Sequence, residues 1–289
     1  MPNTYRLNSH GMFDRRQDRN MRRVIFLSVE GTKTEVEYFG HINKYKTSLG
    51  VESVVEIHVL KRDDTKSSPE QVLDLLDEYM SLRTTSKLKD ELQKLELSSY
   101  DVDFIQSYLD AKERIPDRQR KRFEATLMKE HLDLLYLKFL SDYQGESDIF
   151  GVVIDRDSKS HPRKMIEEVF SDCDNKGYKC FLTNPCIELW LLLHVSDVSE
   201  EYKHDMNNLL ENPIDKKGHT YVGNLLYEKT NIRKGIQLKA FEKYFLPNIE
   251  NAIENAAKIC TERNNLLDRV GSNLGELFVL LREKPKDSV

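Results

Sequence analysis

The chain has few cysteines and no cysteine pattern. The four present are Cys173, Cys180, Cys186 and Cys260, and no two of them form a C-x-x-C pair. Structural zinc sites and disulfide scaffolds both depend on clustered cysteines with characteristic spacing. The sequence therefore argues against both and favours buried free thiols in a reducing cytoplasm.

Long apolar runs and an excess of positive charge are also missing. The longest apolar segment, Ile187 to Val195, contains Glu188 and His194, and it falls well short of the roughly 18 residues of a membrane span. The segment Met1 to Asn20 is polar, unlike a secretory signal. The net charge is −5, from 44 basic and 49 acidic residues. We expect a cytoplasmic protein without membrane contact, on which any nucleic-acid surface is local.

Strand and helix patterns alternate along much of the chain. Apolar runs predict strands over residues 23–29, 54–61, 148–154 and 178–182. Helical patterns follow them at residues 34–46, 71–82, 162–170 and 187–194. Thr34 and Asn184 are predicted N-caps, with Pro185 in a first helical turn. This alternation predicts an α/β fold with a small parallel sheet flanked by helices.

The character of the sequence changes at four places. The predicted organisation is a basic arm (1–22), an α/β core (23–82 and 146–195), a helical insertion (83–145) and a helical C-terminal region (196–289). The insertion has dense charge with helical spacing, broken by Pro116. We expect it to form a helical hairpin.

Two acidic signatures stand where predicted strands end. The run from Val24 to Gly31 closes on Glu30, and the run from Phe150 to Asp157 closes on Asp155 and Asp157. Parallel strands deliver such residues to one edge of the sheet, where open α/β proteins bind ligands. Clustered carboxylates are the oxygen ligands that Mg²⁺ or Mn²⁺ requires. The sequence therefore predicts a divalent-metal phosphoester enzyme.

The roles within this site are only partly separable. Asp155 and Asp157 lie two apart on a segment read as extended, which would point both carboxylates to the same side. Glu30 is either a metal ligand or a general base, and Glu35 would be an outer supporting carboxylate. The competing interpretation is that these acids are helix caps and turn formers.

A further carboxylate, Glu188, sits at the start of an otherwise apolar helix. It either forms an ion pair within the core or provides another acidic wall of the metal site. The sequence leaves both open. His194, on the same helix, is interpreted as a packed histidine rather than a proton carrier.

Basic residues form candidate phosphate contacts. They are Arg15, Arg16, Arg19, Arg22 and Arg23 of the arm, and Lys33 and Lys159 beside the acidic signatures. For both lysines a solvated surface or a cap is the alternative. A second cluster, around Pro116, comprises Arg114, Arg118, Arg120, Lys121 and Arg122. A solvated helix face is the favoured interpretation of that cluster.

Taken in order, these segments resemble the RloB-like family, which belongs to the wider group of Toprim-domain proteins. The resemblance rests on Glu30-Gly31-x-x-Thr34-Glu35 followed by Tyr38-Phe39, on Ile154 to Asp157, on Asn184 to Leu192, and on Ala252 to Ala256. Toprim proteins use a glutamate and an Asp-x-Asp pair to hold Mg²⁺ for cleaving or forming phosphodiester bonds. The resemblance thus implies that role for Glu30, Asp155 and Asp157. Segment 83–145 is longer than expected for the family, which bears on the substrate.

The expected function is a Mg²⁺- or Mn²⁺-dependent nuclease of antiviral or abortive-infection defence. Its expected substrate is nucleic acid, with RNA (tRNA included) favoured over duplex DNA. An ATPase encoded nearby is an expected partner, and an oligomer is compatible with the sequence. The rival is a non-catalytic module that binds a nucleotide, nucleic acid or a partner protein alongside an ATPase. Phosphodiester formation, as in primases, is less favoured because no zinc module accompanies the site.

Overall fold

The computed structural model describes residues 23–52, 55–60, 68–84, 100–129 and 148–283. The chain divides into two compact units, and the division falls within one helix, after Leu76. Within the described residues, the sheet unit comprises 23–52, 55–60, 68–76 and 148–283, and the second unit comprises 77–84 and 100–129. No helix in the described ranges is long and apolar enough to cross a membrane.

A five-stranded sheet organises the first unit. Its strands are β1 (Arg23–Val29), β2 (Val55–Leu60), β3 (Ile149–Asp155), β4 (Lys179–Asn184) and β5 (Gly271–Ser272). The spatial order is β2-β1-β3-β4-β5, with only β5 antiparallel. The chain leaves β1 toward β2 on one side and later returns to β3 on the other. The carboxyl ends of β1 and β3 therefore flank a switch point, where α/β sheets form their ligand crevice.

Burial explains why these runs form strands. Every residue of β1 is buried, as expected for a central parallel strand covered on both faces. Of its two polar residues, Arg23 and Ser28, the second donates its hydroxyl hydrogen bond to the carbonyl of Val72 at 2.6 Å. The α/β class with a small, mostly parallel sheet is confirmed.

Helices flank the sheet and form the C-terminal region. They are α1 (Thr34–Tyr45), α2 (Pro69–Thr84), α5 (Arg163–Lys176), α6 (Ile187–Leu193), α7 (Val198–Glu201), α8 (Met206–Glu211), α9 (Tyr221–Thr230), α10 (Leu238–Ala240), α11 (Ile249–Ile259) and α12 (Gly275–Arg282), with α3 and α4 in the second unit. Within the predicted helical C-terminal region, residues 238–259 do not form one continuous helix. A π-helical segment (Phe241–Phe245) and a 3₁₀ turn (Leu246–Asn248) separate α10 from α11.

The core is centred on α6. Every residue of this helix except Glu188 is buried. Trp190 Nε1 donates to the Tyr38 hydroxyl at 2.9 Å, and that hydroxyl lies 3.1 Å from His194 Nε2. His194 Nδ1 lies 3.0 Å from the Trp190 carbonyl and so carries the proton. Burial lowers the pKa of His194 to about 4. The prediction of a packed, neutral histidine is confirmed.

Two predicted helix caps are wrong. Thr34 is already the first residue of α1, after Lys33, and its hydroxyl accepts a hydrogen bond from the Gly235 N–H at 3.2 Å. Asn184 ends β4 instead of starting a helix, and its amide donates to the Leu266 carbonyl at 2.7 Å. Pro185 likewise precedes the N-cap of α6, which is Cys186. In both cases the side chain that the sequence pattern predicted to cap a helix forms a tertiary hydrogen bond instead.

The second unit contains α3 (Val102–Ala111) and α4 (Asp117–Lys129), separated by a 3₁₀ turn and Pro116. Asp101 caps α3 by accepting from the Phe104 N–H at 2.6 Å. The two helices share an apolar cluster that includes Ile105, Leu109, Phe123 and Leu127. The predicted helical insertion is confirmed over these residues, and the rest of segment 83–145 lies largely outside the described residues.

Candidate active site

Glu30 and Asp155 meet where β1 and β3 end. The Glu30 backbone N–H continues the β1–β3 pairing by donating to the Val153 carbonyl at 3.1 Å. The Glu30 side chain then reaches across, and its Oε2 accepts the Asp155 N–H at 3.0 Å. Two acids that are 125 residues apart in sequence therefore share one point of the sheet edge, as the strand pattern predicted.

Gly31 admits a second glutamate beside them. The Gly31 N–H donates to Glu35 Oε1 at 2.8 Å. A Cβ at Gly31 would lie only 2.0 Å from Glu35 Oε2, so only glycine permits this approach. The Glu35 side chain is 5% exposed. Its carboxylate is thus held under the turn that follows β1.

Asp155 faces the start of α6. The Ile187 N–H opposes the rise of the Asp155 pKa, and Glu188 follows on the same helical turn. None of the ion pairs among the described residues involves Glu188. The core ion pair considered for Glu188 is therefore not formed there, and Glu188 instead adds negative charge near Asp155 and Glu35.

Glu30, Glu35, Asp155 and Glu188 together form an acidic cluster. Burial, followed by the charges of Glu188 and Glu30, raises the pKa of Glu35 to about 7. Burial, followed by the charges of Glu30, Glu35 and Glu188, raises the pKa of Asp155 well above its ordinary value. Desolvation and mutual repulsion both disfavour the ionised carboxylates. The cluster therefore attracts a proton or a metal cation.

Asp157 lies outside this cluster. Its carboxylate accepts the Lys159 N–H at 3.2 Å and the Ser160 hydroxyl at 2.7 Å. The prediction that Asp157 points the same way as Asp155 assumed an extended chain, but β3 ends at Asp155 and a turn begins. In the conformation described, no three Asp, Glu, His or Cys side chains of the described ranges have the arrangement of a metal site.

Comparison with known proteins places the chain in a family. A profile of the RloB-like protein family matches residues 25–280. The chain belongs to the RloB-like protein family. No curated protein and no solved structure matches it.

In this RloB-like chain a histidine completes the site. His161 is buried, and its Nε2 lies 3.1 Å from Glu30 Oε1. The hydrogen bond to Glu30 raises the pKa of His161, against the lowering effect of burial. The buried guanidinium of Arg156 fixes the same loop through the His161 carbonyl (2.8 Å) and the Leu267 carbonyl (2.9 Å). Nothing local in the sequence marked His161 as a partner of Glu30.

The predicted phosphate contacts fall in different places. The Arg23 guanidinium is buried and donates to the carbonyls of Leu280 (2.6 Å) and Glu283 (2.5 Å). It begins β1, at the opposite edge of the sheet from Glu30. The prediction of Arg23 as a nucleic-acid contact is therefore wrong, because the side chain anchors the end of α12.

The remaining basic residues of the RloB-like chain are less constrained. Lys33 is exposed, with its alkyl chain close to Gly235. Lys159 is also exposed, and its Nζ donates to the Glu211 carbonyl at the end of α8, at 2.6 Å. That contact favours a capping role for Lys159. Arg15, Arg16, Arg19 and Arg22 lie outside the described residues.

Proposed function

We propose that the protein is a divalent-metal-dependent nuclease that hydrolyses phosphodiester bonds. The observation that carries this proposal is the meeting of Glu30 and Asp155 at the switch point of the sheet, with Glu35 and Glu188 beside them. Chemistry in open α/β folds takes place at that edge. Family membership agrees with the proposal but does not by itself establish an activity.

The donor set of the acidic cluster suits Mg²⁺ or Mn²⁺. All four side chains offer carboxylate oxygens, the ligand type that these hard cations prefer. Burial, and after it the charges of the neighbouring carboxylates, raises the pKa of Glu35 and Asp155, so a cation would stabilise their ionised forms. Glu30 and Asp155 would hold the ion, supported by Glu35 and Glu188. When bound, such an ion acidifies water and stabilises negative charge on phosphate.

The protein's own groups would position and move protons. His161 Nε2 faces Glu30 Oε1 and fixes the orientation of that carboxylate. In the metal-free site the Glu35 carboxyl, with a pKa of about 7, exchanges a proton near neutral pH, and a bound cation would favour its ionised form. Glu30 remains either a ligand or the base that accepts a proton from the attacking water.

The substrate and its setting are part of the same proposal. RNA, tRNA included, is favoured over duplex DNA, and the reaction would serve antiviral defence in the cytoplasm together with an ATPase. These points rest on the family resemblance alone.

The test is cleavage of a defined panel of nucleic acids. Purified protein is incubated with pooled tRNA, single-stranded RNA, single-stranded DNA and duplex DNA, with Mg²⁺, with Mn²⁺ or with EDTA. We expect metal-dependent products from RNA, and none from Asp155→Asn or Glu188→Gln. Glu168→Gln is the matched control because Glu168 is an exposed carboxylate on α5. Turnover retained by Asp155→Asn would refute the proposal.

Binding without hydrolysis is the second candidate, and one observation favours it. The carboxylates of Glu30 and Glu35 already accept protein donors, namely the N–H groups of Gly31 and Asp155 and the ring of His161. A site satisfied in this way can hold a nucleotide, nucleic acid or partner protein without catalysis. Absence of cleavage by the wild type across the whole panel would favour this candidate.

A further inference from the structure

Helix α4 has two sharply different sides. Phe123 and Leu127 are buried against the apolar residues of α3. At about 100° per residue, Arg118, Lys121 and Arg122 fall within an arc of about 100° on the opposite side. All three are exposed. We call these three residues the basic stripe.

The acidic residues of α4 do not neutralise the basic stripe. Asp117 and Glu124 both pair with Arg120, at 2.6 Å and 3.9 Å. Among the described residues, no ion pair involves a member of the basic stripe. Arg120 thus pairs with both acidic residues of the helix, and the three positive charges of the basic stripe lie side by side.

This arrangement is unusual for the composition of the chain. The protein carries a net charge of −5, and ordinary solvated helix faces interleave charges of both signs. Like charges at spacings of three and four residues repel one another. The stripe contributes nothing to the apolar packing of α4, so neither folding nor solubility requires a single sign there.

We propose that the basic stripe binds the phosphate backbone of nucleic acid, independently of base sequence. The proposal rests on the proposed nuclease function, for which it supplies a substrate contact. Arginine guanidinium groups match phosphate oxygens in a bidentate geometry, and neutralising phosphates releases bound counterions. A membrane surface does not fit, because an interfacial helix needs a free apolar face and that of α4 is buried against α3.

The test compares the salt dependence of binding. Fluorescein-labelled single-stranded RNA of about 20 nucleotides is titrated with full-length protein in EDTA, over a range of KCl concentrations. The stripe variant is Arg118→Gln/Lys121→Gln/Arg122→Gln. The control, Lys164→Gln/Lys203→Gln/Lys239→Gln, removes equal charge from exposed lysines of the sheet unit. Arg118→Lys/Arg122→Lys keeps the charge of the stripe.

In the stripe variant, the slope of log affinity against log salt should fall in magnitude by about 2. Its affinity at 50 mM KCl should drop at least about tenfold. The control should bind like wild type, and the lysine variant should keep the wild-type salt slope because its charge is unchanged. Equal behaviour of the stripe and control variants, no RNA binding by the wild type, or polyglutamate bound as tightly as RNA would each overturn the proposal.

Cleavage with Mg²⁺, measured separately, distinguishes this inference from the function it rests on. If the wild type binds RNA through the stripe but never cleaves it, the stripe stands and the nuclease proposal fails. If the stripe variant binds and cleaves like wild type, the nuclease proposal stands and the stripe fails.

Discussion

Replacement of the buried Glu35 carboxyl should reduce the loss of stability that accompanies a rise in pH from 5 to 8. The pKa of Glu35 rises from its ordinary 4.5 to about 7 in the folded state. Between these values the unfolded chain loses the Glu35 proton while the folded protein keeps it. Stability therefore falls as pH rises through this window and levels off above the folded pKa. Asp155, whose pKa is also raised, acts in the same direction.

The size of the effect follows from the same two pKa values. When the folded and unfolded pKa of a group differ by one, the stability of the protein changes by about 1.4 kcal/mol. Integrated from pH 5 to pH 8, Glu35 alone lowers the free energy of unfolding by roughly 2 to 3 kcal/mol. Glu35→Gln keeps the shape and can still accept the Gly31 N–H. From pH 5 to pH 8, the free energy of unfolding should therefore fall less in the variant than in the wild type. The difference should be at least as large as the Glu35 contribution.

Urea unfolding in metal-free buffer with EDTA, at pH 5 and at pH 8, measures the difference. Glu168→Gln serves as the exposed-carboxylate control. Equal losses of unfolding free energy in wild type and Glu35→Gln would show that Glu35 does not carry a raised pKa. Adding Mg²⁺ at pH 8 should restore stability to the wild type if the acidic cluster binds it.

Three further outcomes are expected. Gly31→Ala should lower the free energy of unfolding by about 1–3 kcal/mol by displacing Glu35, and it should abolish metal-dependent cleavage. Its control is Gly40→Ala, which has nothing within 4 Å of the added Cβ and should stabilise α1 by up to about 1 kcal/mol. Urea unfolding of both variants measures the difference. Tyr38→Phe should cost about 1–3 kcal/mol by leaving its two buried partners unsatisfied, and a changed cleavage rate per folded molecule would contradict a purely structural role. Arg23→Met should lower the thermal midpoint without changing RNA affinity, and weakened RNA binding would mean that Arg23 contacts substrate after all.

Local patterns predicted the strand ends well. Buried parallel strands read as apolar runs, and both runs close on an acid that can be seen in the sequence. For that reason Glu30 and Asp155 were found from the sequence alone. Asp157 was not placed correctly, because the alternation argument assumed that the chain stays extended beyond Asp155.

Other features depend on contacts that sequence does not show. The two interpretations of Glu188 were separated by its having no ion pair among the described residues, which only the packed structure reveals. His161 lies in a loop, and its approach to Glu30 depends on a buried arginine that fixes that loop. Strand β5 has only two residues, and at Gly271 an added Cβ would lie 2.1 Å from the Cys260 carbonyl oxygen. The close approach of the Gly271 and Cys260 backbones produces no periodic pattern in the sequence, so the sequence does not predict it.

The hydrogen bonds that Arg23 donates to the carbonyls of Leu280 and Glu283 have a consequence for biosynthesis. The first strand presents a buried cation whose acceptors are carbonyls more than 250 positions later in the chain. Until those residues leave the ribosome, this guanidinium has to remain hydrated at the edge of an unfinished sheet. The sheet unit is therefore complete only after Leu280 and Glu283 have left the ribosome, and a nascent chain stalled before Leu280 should still be accessible to proteases and chaperones.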